Sequence, residues 1–279
     1  MYFDFFTFGG SIFWEDVFFY QRWRIQRHCF SKMYRLLDPW DIRRAQGSFQ
    51  MCQKKFIKYI ESYEIPKQQG NLVVLLHGYG EGKNIFKPLW RKLLLTNSVV
   101  AAINYPSLFK SGIDSAHQLL FFLNHLTDIN KVSFVTKGCS NIILQKLFNL
   151  PDNVQDFRKK MRIGNIVVIN PIIKGNLYCD VLSKFKIFRF IFGPMLYDFT
   201  SKRMRNLPSL PSQFCVLRIH IDTKLSRIIN KLFSGNNNIK SSSKSLKQNE
   251  LYLRGSSLKI LRNQEVLNFT VKFINNGKL

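Results

Sequence analysis

Apolar and polar positions change rhythm along this chain. "NLVVLLHGYG" opens with five aliphatics in six residues and closes on glycines. That pattern predicts a buried strand running into a tight loop. "FKPLWRKLLL" follows with helical spacing, and "SVVAAINYP" is a second buried run, stopped by Pro106. "SGIDSAHQLLFFLNHL" predicts a helix with Ser and Asp near its start, "KVSFVTKG" a third strand and "SNIILQKLFNL" a third helix. "IGNIVVINP" and "FCVLRIHID" supply a fourth and a fifth strand. "NQEVLNFTVKFINNG" predicts a closing helix with Gly277 past its end. Strands alternating with helices imply βαβ units, an α/β class and a mostly parallel central sheet flanked by helices.

Residues 1 to about 67 read differently. After Pro39, "LLDPWDIRRAQGSFQMCQKKFIKYIESY" keeps a helix-like apolar spacing, so this part is expected to be an N-terminal helical extension. Residues 68–279 are expected to form the main domain. A covering, cap-like helical region is expected at about 176–210, where "VLSKFKIFRFIFGPMLYDFTSKRM" is helical and basic. "SGNNNIKSSSKSLKQNE" is polar and reads as loop. No internal repeat is visible.

Charge adds a second theme. The formal net charge is +25 and the pI about 10.1. Such a surface suits acidic partners, either anionic lipid headgroups or nucleic acid. Abundant Lys, Asn, Ile and Phe are also what AT-rich coding produces. No zinc-finger or RRM signature is present, which argues against nucleic acid. The cysteines Cys29, Cys52, Cys139, Cys179 and Cys215 are scattered and form no CxxC pair. They fit a reducing cytoplasm rather than a disulfide or zinc framework. The aromatic amino terminus carries Asp4, Glu15 and Asp16 inside its apolar stretch, so it is a poor signal peptide and a poor span. Its aromatics with Arg22, Arg24, Arg27 and His28 suit either a membrane surface or packing on the main domain. "KFKIFRFIF", with Lys184, Lys186 and Arg189 between aromatics, suits either a solvated covering helix or peripheral contact with the inner membrane surface.

Candidate chemistry collects at two strand ends. The first buried strand ends in His77-Gly78-Tyr79-Gly80, whose glycines allow a sharp turn and expose N–H groups. The third ends in Thr136-Lys137-Gly138-Cys139-Ser140-Asn141, where an α/β hydrolase carries its nucleophile elbow. With "WRIQRH", "RLLDP", "NYPS", "RIGNIVVINPIIKGN", "FGP" and "LRNQEVLNFTVKFI", these stretches resemble the lipase- and esterase-type α/β hydrolases, in particular a bacterial subfamily. The resemblance implies an α/β-hydrolase fold and a carboxylic-ester chemistry. It also implies a Thr-His-Ser-x-Gly-Gly elbow. Here Lys137 replaces the His, Gly138 the serine, and Ser140 and Asn141 the glycines.

The acid of that family falls at Asn238 or Asn237 in "GNNNIK", and its late histidine at Ser257. All three triad positions thus hold residues unable to act. Glycine has no nucleophile, an amide offers no charge to orient an imidazole, and a serine hydroxyl is no general base near neutral pH. Losing a triad costs on the order of 10⁶ in turnover. The backbone N–H groups of Tyr79 and Cys139 match the oxyanion positions, and His77, Gly78 and Gly80 the loop brace. Fallback groups are Cys139 and Ser140 as relocated nucleophiles and Asp222 as a surviving carboxylate. Each also has a plain structural reading: packing, helix capping and turn formation respectively. Lys137 reads as a base only if desolvated, otherwise as a solvated lysine. His117 and His125 lie on one helix without a third ligand, so no metal is expected, and no cofactor either. The expectation is a pseudo-hydrolase that binds a lipid or ester-like molecule. The alternatives are an active hydrolase or acyltransferase with a moved nucleophile, and a basic interaction module.

Overall fold

The computed structural model describes residues 12–151, 155–173, 175, 177–222, 249–254, 256 and 259–278. Trp14–Tyr20 (β1), Trp23–His28 (β2), Tyr34–Leu37 (β3) and Arg43–Gly47 (β4) form a four-stranded antiparallel sheet in that order. The helical extension expected over residues 1 to 67 is therefore corrected: helix is confined to Phe49–Ser62 (α1), with Ser48 capping its start. Trp, Phe, Tyr and Ile suit a pleated surface better than their spacing suggests. All seven residues of β1 are buried, so no two-residue alternation betrays the strand. One face of the sheet packs on α1 through Val17, Trp23, Ile25, Cys52 and Phe56. Phe19 of β1 belongs instead to the core of the following sheet.

That second sheet has six strands, all parallel. They are Asn71–Leu76 (β5), Val99–Ile103 (β6), Lys131–Lys137 (β7), Arg162–Ile169 (β8), Val216–Asp222 (β9) and Glu250–Arg254 (β10), in the order β10-β9-β8-β7-β5-β6. The sixth strand is an addition to the five expected. The flanking helices are Lys87–Leu94 (α2), Gly112–Asn124 (α3), Ser140–Phe148 (α4), Phe157–Lys160 (α5) and, at the end, Gln264–Asn276. Alternate residues of each strand face opposite layers. Leu72, Val74 and Leu76 meet α3 and α4, while Val73 and Leu75 meet α2 and the closing helix. The chain is thus an α/β protein with a parallel sheet covered on both faces.

The two sheets are joined by buried polar ties. Asp16 in β1 donates its N–H to Asn104 O at 3.0 Å, and its carboxylate accepts from Asn104 N–H at 2.6 Å and from the Gln26 amide at 2.8 Å. The Gln118 amide of α3 donates to the Asp16 and Asn104 carbonyls, both at 3.0 Å. Glu15 pairs with Arg27 and Lys110. Glu15 and Asp16, two of the acids that made this stretch a poor membrane span, are therefore internal partners. Among the described residues no helix is long and apolar enough to cross a membrane.

Over the carboxyl ends of the strands lies a broken helical cover. It consists of Leu177–Leu182 (α6), Lys186–Phe192 (α7), a 3-10 stretch Pro194–Phe199 and Ser201–Arg205 (α8). The closing helix Gln264–Asn276 is α9. Gly193, at φ +67°, lets the cover touch down: a Cβ there would lie 1.6 Å from Leu108 O. Asp198 fixes it further, accepting from Gly112 N–H at 2.6 Å and pairing with Lys146 at 2.6 Å.

Candidate functional site

Strand order reverses at β5, whose neighbours β6 and β7 lie on either side. The segment after β5 leads to α2 on one face of the sheet, and β7 leads to α4 on the other. Between such diverging crossovers a crevice opens at the carboxyl ends of the strands, the usual place for ligands in open α/β sheets. His77–Gly80 and Lys137–Ser140 form its two walls.

Gly138 sits at the strand-to-helix turn with φ +59°, its N–H donating to Ile169 O at 2.9 Å. A Cβ placed there would meet only Gly78 Cα, at 3.9 Å. The turn therefore keeps a left-handed conformation with room for a side chain, and glycine leaves that room empty. A non-glycine residue at such φ stores roughly 1–2 kcal/mol of strain; glycine removes it. The cover meets the opposite wall, where the Tyr79 hydroxyl donates to Phe192 O and its ring stands edge-on to Phe199 at 5.6 Å.

The neighbouring fallback groups face inward. The Ser140 hydroxyl accepts from Lys137 N–H at 2.8 Å and lies 2.8 Å from Leu76 O and 2.9 Å from Lys137 O. It staples the end of β7 to the end of β5. It does not cap α4, whose N-cap is Cys139 without a side-chain bond. Cys139 is 1% exposed within the apolar core. Burial, and then the charge of Glu81, push its thiol up to about 12, while nearby backbone N–H groups and the Tyr105 hydroxyl pull less strongly the other way. A thiol this weakly acidic supplies almost no thiolate near neutral pH. The backbone N–H groups that face the Cys139 thiol are those of Tyr79 and Cys139.

Lys137 is neither the solvated lysine nor the lone desolvated base considered from sequence. It is buried and pairs with Glu81. The other Glu81 oxygen accepts from Gly78 N–H at 2.8 Å. Glu81 is a feature that motif reading missed; its only signal is an acid directly after "HGYG", facing a cation where the elbow of the resembled family has histidine. The same holds for "NYPS". Tyr105 stacks on His77 at 4.1 Å and 7°, and the Ser107 hydroxyl accepts from Gly80 N–H at 3.0 Å.

His77 is fully buried. Its Nδ1 is 2.8 Å from Gly78 O, and its Nε2 accepts from Tyr105 N–H at 3.4 Å. This pairing requires the neutral Nδ1–H tautomer, and burial pushes the ring down to about 4. Asn237, Asn238 and Ser257 lie outside the described residues. Asp222 ends β9 opposite Arg254, and its side chain is likewise outside them. His220 stacks on Tyr252 at 4.7 Å, away from the elbow turn in sequence and at the far strands of the sheet. His117 is exposed, whereas His125 stacks on Phe121 and its Nδ1–H donates to the Phe121 carbonyl at 2.8 Å. The described residues contain no cluster able to hold a metal ion. Position 138 thus carries no attacking atom, and the Glu81 carboxylate, paired with Lys137, opposes negative charge developing nearby.

No protein-family model matches the chain, and no curated protein matches it. Similar solved structures include tomato methylketone synthase I complexed with 2-tridecanone, at 14% identity and TM-score 0.43, covering 76% of this chain and 100% of that one. Aspergillus fumigatus lipase B is similar at 12% identity and TM-score 0.46, over 74% of this chain and 53% of its own. The metagenomic carboxyl esterase MGS0156 is similar at 14% identity and TM-score 0.44, over 57% and 53%. The fold assignment rests on the strand order and crossovers of this chain rather than on these distant likenesses.

The His77 ring predicts a pH effect on stability. A base whose folded pKa is depressed contributes stability that is complete above its unfolded value, about 6.5, and is lost as pH falls toward about 4. The full loss is about 3 kcal/mol. His28 and His220 are also lowered by burial and act in the same direction. Urea midpoints measured from pH 7.5 to 4.5 fall with acid in the native protein, and His77→Gln flattens that fall while lowering stability at pH 7.5. An unchanged slope in the variant contradicts the buried neutral ring.

Proposed function

We propose that the chain is a catalytically silent protein of the α/β-hydrolase type, a pseudo-hydrolase that holds a lipid or ester-like molecule at the carboxyl edge of its parallel sheet without cleaving it. The observation that carries this reading is Gly138: the elbow turn is present at φ +59°, with open space where a nucleophile would project. The relocated-nucleophile alternative has little support. Cys139 is buried with a raised pKa, and Ser140 is engaged by three backbone groups. The Tyr79 and Cys139 N–H groups suit an uncleaved carbonyl acceptor. Purified protein is expected to hydrolyse p-nitrophenyl butyrate no faster than the buffer blank, and Cys139→Ala leaves that result unchanged. Turnover that collapses in Cys139→Ala or Ser140→Ala would overturn the reading.

A second reading concerns where the protein works. No residue of α7 is buried, Phe190 is 90% exposed, and Ile187 and Ile191 are exposed beside it. Leu177, Tyr178 and Val181 of α6 extend the apolar face, with Lys184 and Lys186 between the two helices' apolar residues. Exposed apolar groups on this scale mark an interaction surface. Interleaved lysines and a net charge of +25 favour an anionic bilayer, each cation near it contributing about 1 kcal/mol. Co-sedimentation with phosphatidylserine vesicles is expected at low salt, weakening as salt rises and in Phe190→Asp. No sedimentation at low salt removes this reading.

A further inference from the structure

A cavity of about 210 Å³ lies away from the elbow, between the β1–β2 turn, the β3–β4 turn and the start of α2. Four cations line it, Arg22, Arg24, Lys83 and Lys87, with Trp90 as an aromatic wall. Asp41 is the one carboxylate in the lining, and it is shared: it pairs with Arg24 and, at 2.8 Å, with Lys83. Asp16 stands 3.9 Å from Arg24 but is already engaged by Gln26 and the Asn104 N–H. Positive charge therefore exceeds negative charge around a half-open pocket.

Arg24 and Lys83 are held by the fold, whereas Arg22 and Lys87 reach the site from exposed positions. Arg24 is 6% exposed. The Lys83 ammonium, paired with Asp41, is pushed down to about 8 by burial first and by Arg24 second. The Arg22 guanidinium lies 5.3 Å over the Trp90 ring and donates to Pro39 O at 3.1 Å. Backbone conformation points the same way. Arg22 and Asp41 adopt φ +71° and +67°, and Gln21 before Arg22 adopts +46°. A two-residue hairpin turn of this kind favours Asn-Gly. Bulkier residues there cost on the order of 1 kcal/mol or more each, a strain typical of sites where side-chain placement matters.

We propose that this cavity binds a small phosphate-bearing anion. Guanidinium forks and an ammonium converging on one space match a tetrahedral dianion. Its volume is below the range of drug-sized ligand pockets and suits a pyrophosphate or phosphomonoester group. The ligand would displace Asp41 from Arg24 and Lys83 and take over its role with twice the charge. This site is independent of the elbow and of any carbonyl bound there.

Isothermal titration of the full chain with sodium pyrophosphate at low salt tests the assignment. Saturable one-to-one binding is expected. It weakens at least tenfold in Lys83→Gln and in Arg22→Ala, an exposed position that tolerates truncation. It tightens in Asp41→Asn, which removes the competing carboxylate; a purely structural ion pair has no reason to give that gain. Lys159→Gln with Lys160→Gln, in the basic groove at the other end of the sheet, leaves the affinity unchanged. A parallel arm uses phosphatidic acid vesicles with the Phe190→Asp variant. Capture there that disappears on Lys83→Gln, without pyrophosphate binding, assigns the phosphate to a lipid headgroup. Absence of binding in both arms, or equal weakening by the Lys159 and Lys160 control, overturns the proposal.

Discussion

The hydroxyl of Ser140 holds the centre of this structure. It lies between the carbonyls that end β5 and β7, at the point where the parallel sheet reverses its strand order. Crossovers from these strands leave on opposite faces, so their ends would otherwise be free to part. A fully buried hydroxyl bonded to both walls keeps the crevice narrow and fixes the turn at Gly138. Fixing that turn also commits the neighbouring hydroxyl and thiol to the fold, which is what the proposed silence requires. With Ser140 committed to the backbone, Cys139 must point into the apolar layer, where burial holds its thiol neutral.

Electrostatics around the crevice fit binding better than bond cleavage. Ester hydrolysis needs a nucleophile, a base and donors aimed at a developing oxyanion. Here a carboxylate, Glu81, stands beside the loop and pairs with Lys137. Its charge raises the energy of a second anion nearby, adding to burial in holding the Cys139 thiol neutral. A neutral carbonyl suffers no such penalty. The His77–Tyr105 stack and the Ser107 contact then serve rigidity, holding the loop in a shape that suits an acceptor at rest.

Much of the sheet was legible in the sequence because β5, β6 and β8 carry aliphatic runs, and β7 and β9 follow helical stretches at the spacing of βαβ units. β10 was not, since "ELYLR" alternates polar and apolar residues over too short a span to stand out. The antiparallel sheet was misread as helix for a related reason. β1 is buried on both faces with charged Glu15 and Asp16 inside, so neither periodicity nor polarity marked it as a strand. The elbow was legible from its position after a buried strand. Glu81, Tyr105 and Ser107 were not, because their roles come from contacts across the switch point. Asn238 and Ser257, the positions that the resemblance assigns to the acid and the base, lie outside the described residues, so the proposed silence rests structurally on Gly138 and its two neighbours.

The central claim is that nothing at the elbow can attack an electrophile. Intact-mass spectrometry after exposure of the native protein to a fluorophosphonate tests it directly, because the reagent traps an activated serine without needing turnover. The account predicts an unmodified mass. A single stoichiometric adduct mapping to Ser140, or to any residue lining the crevice, would contradict it.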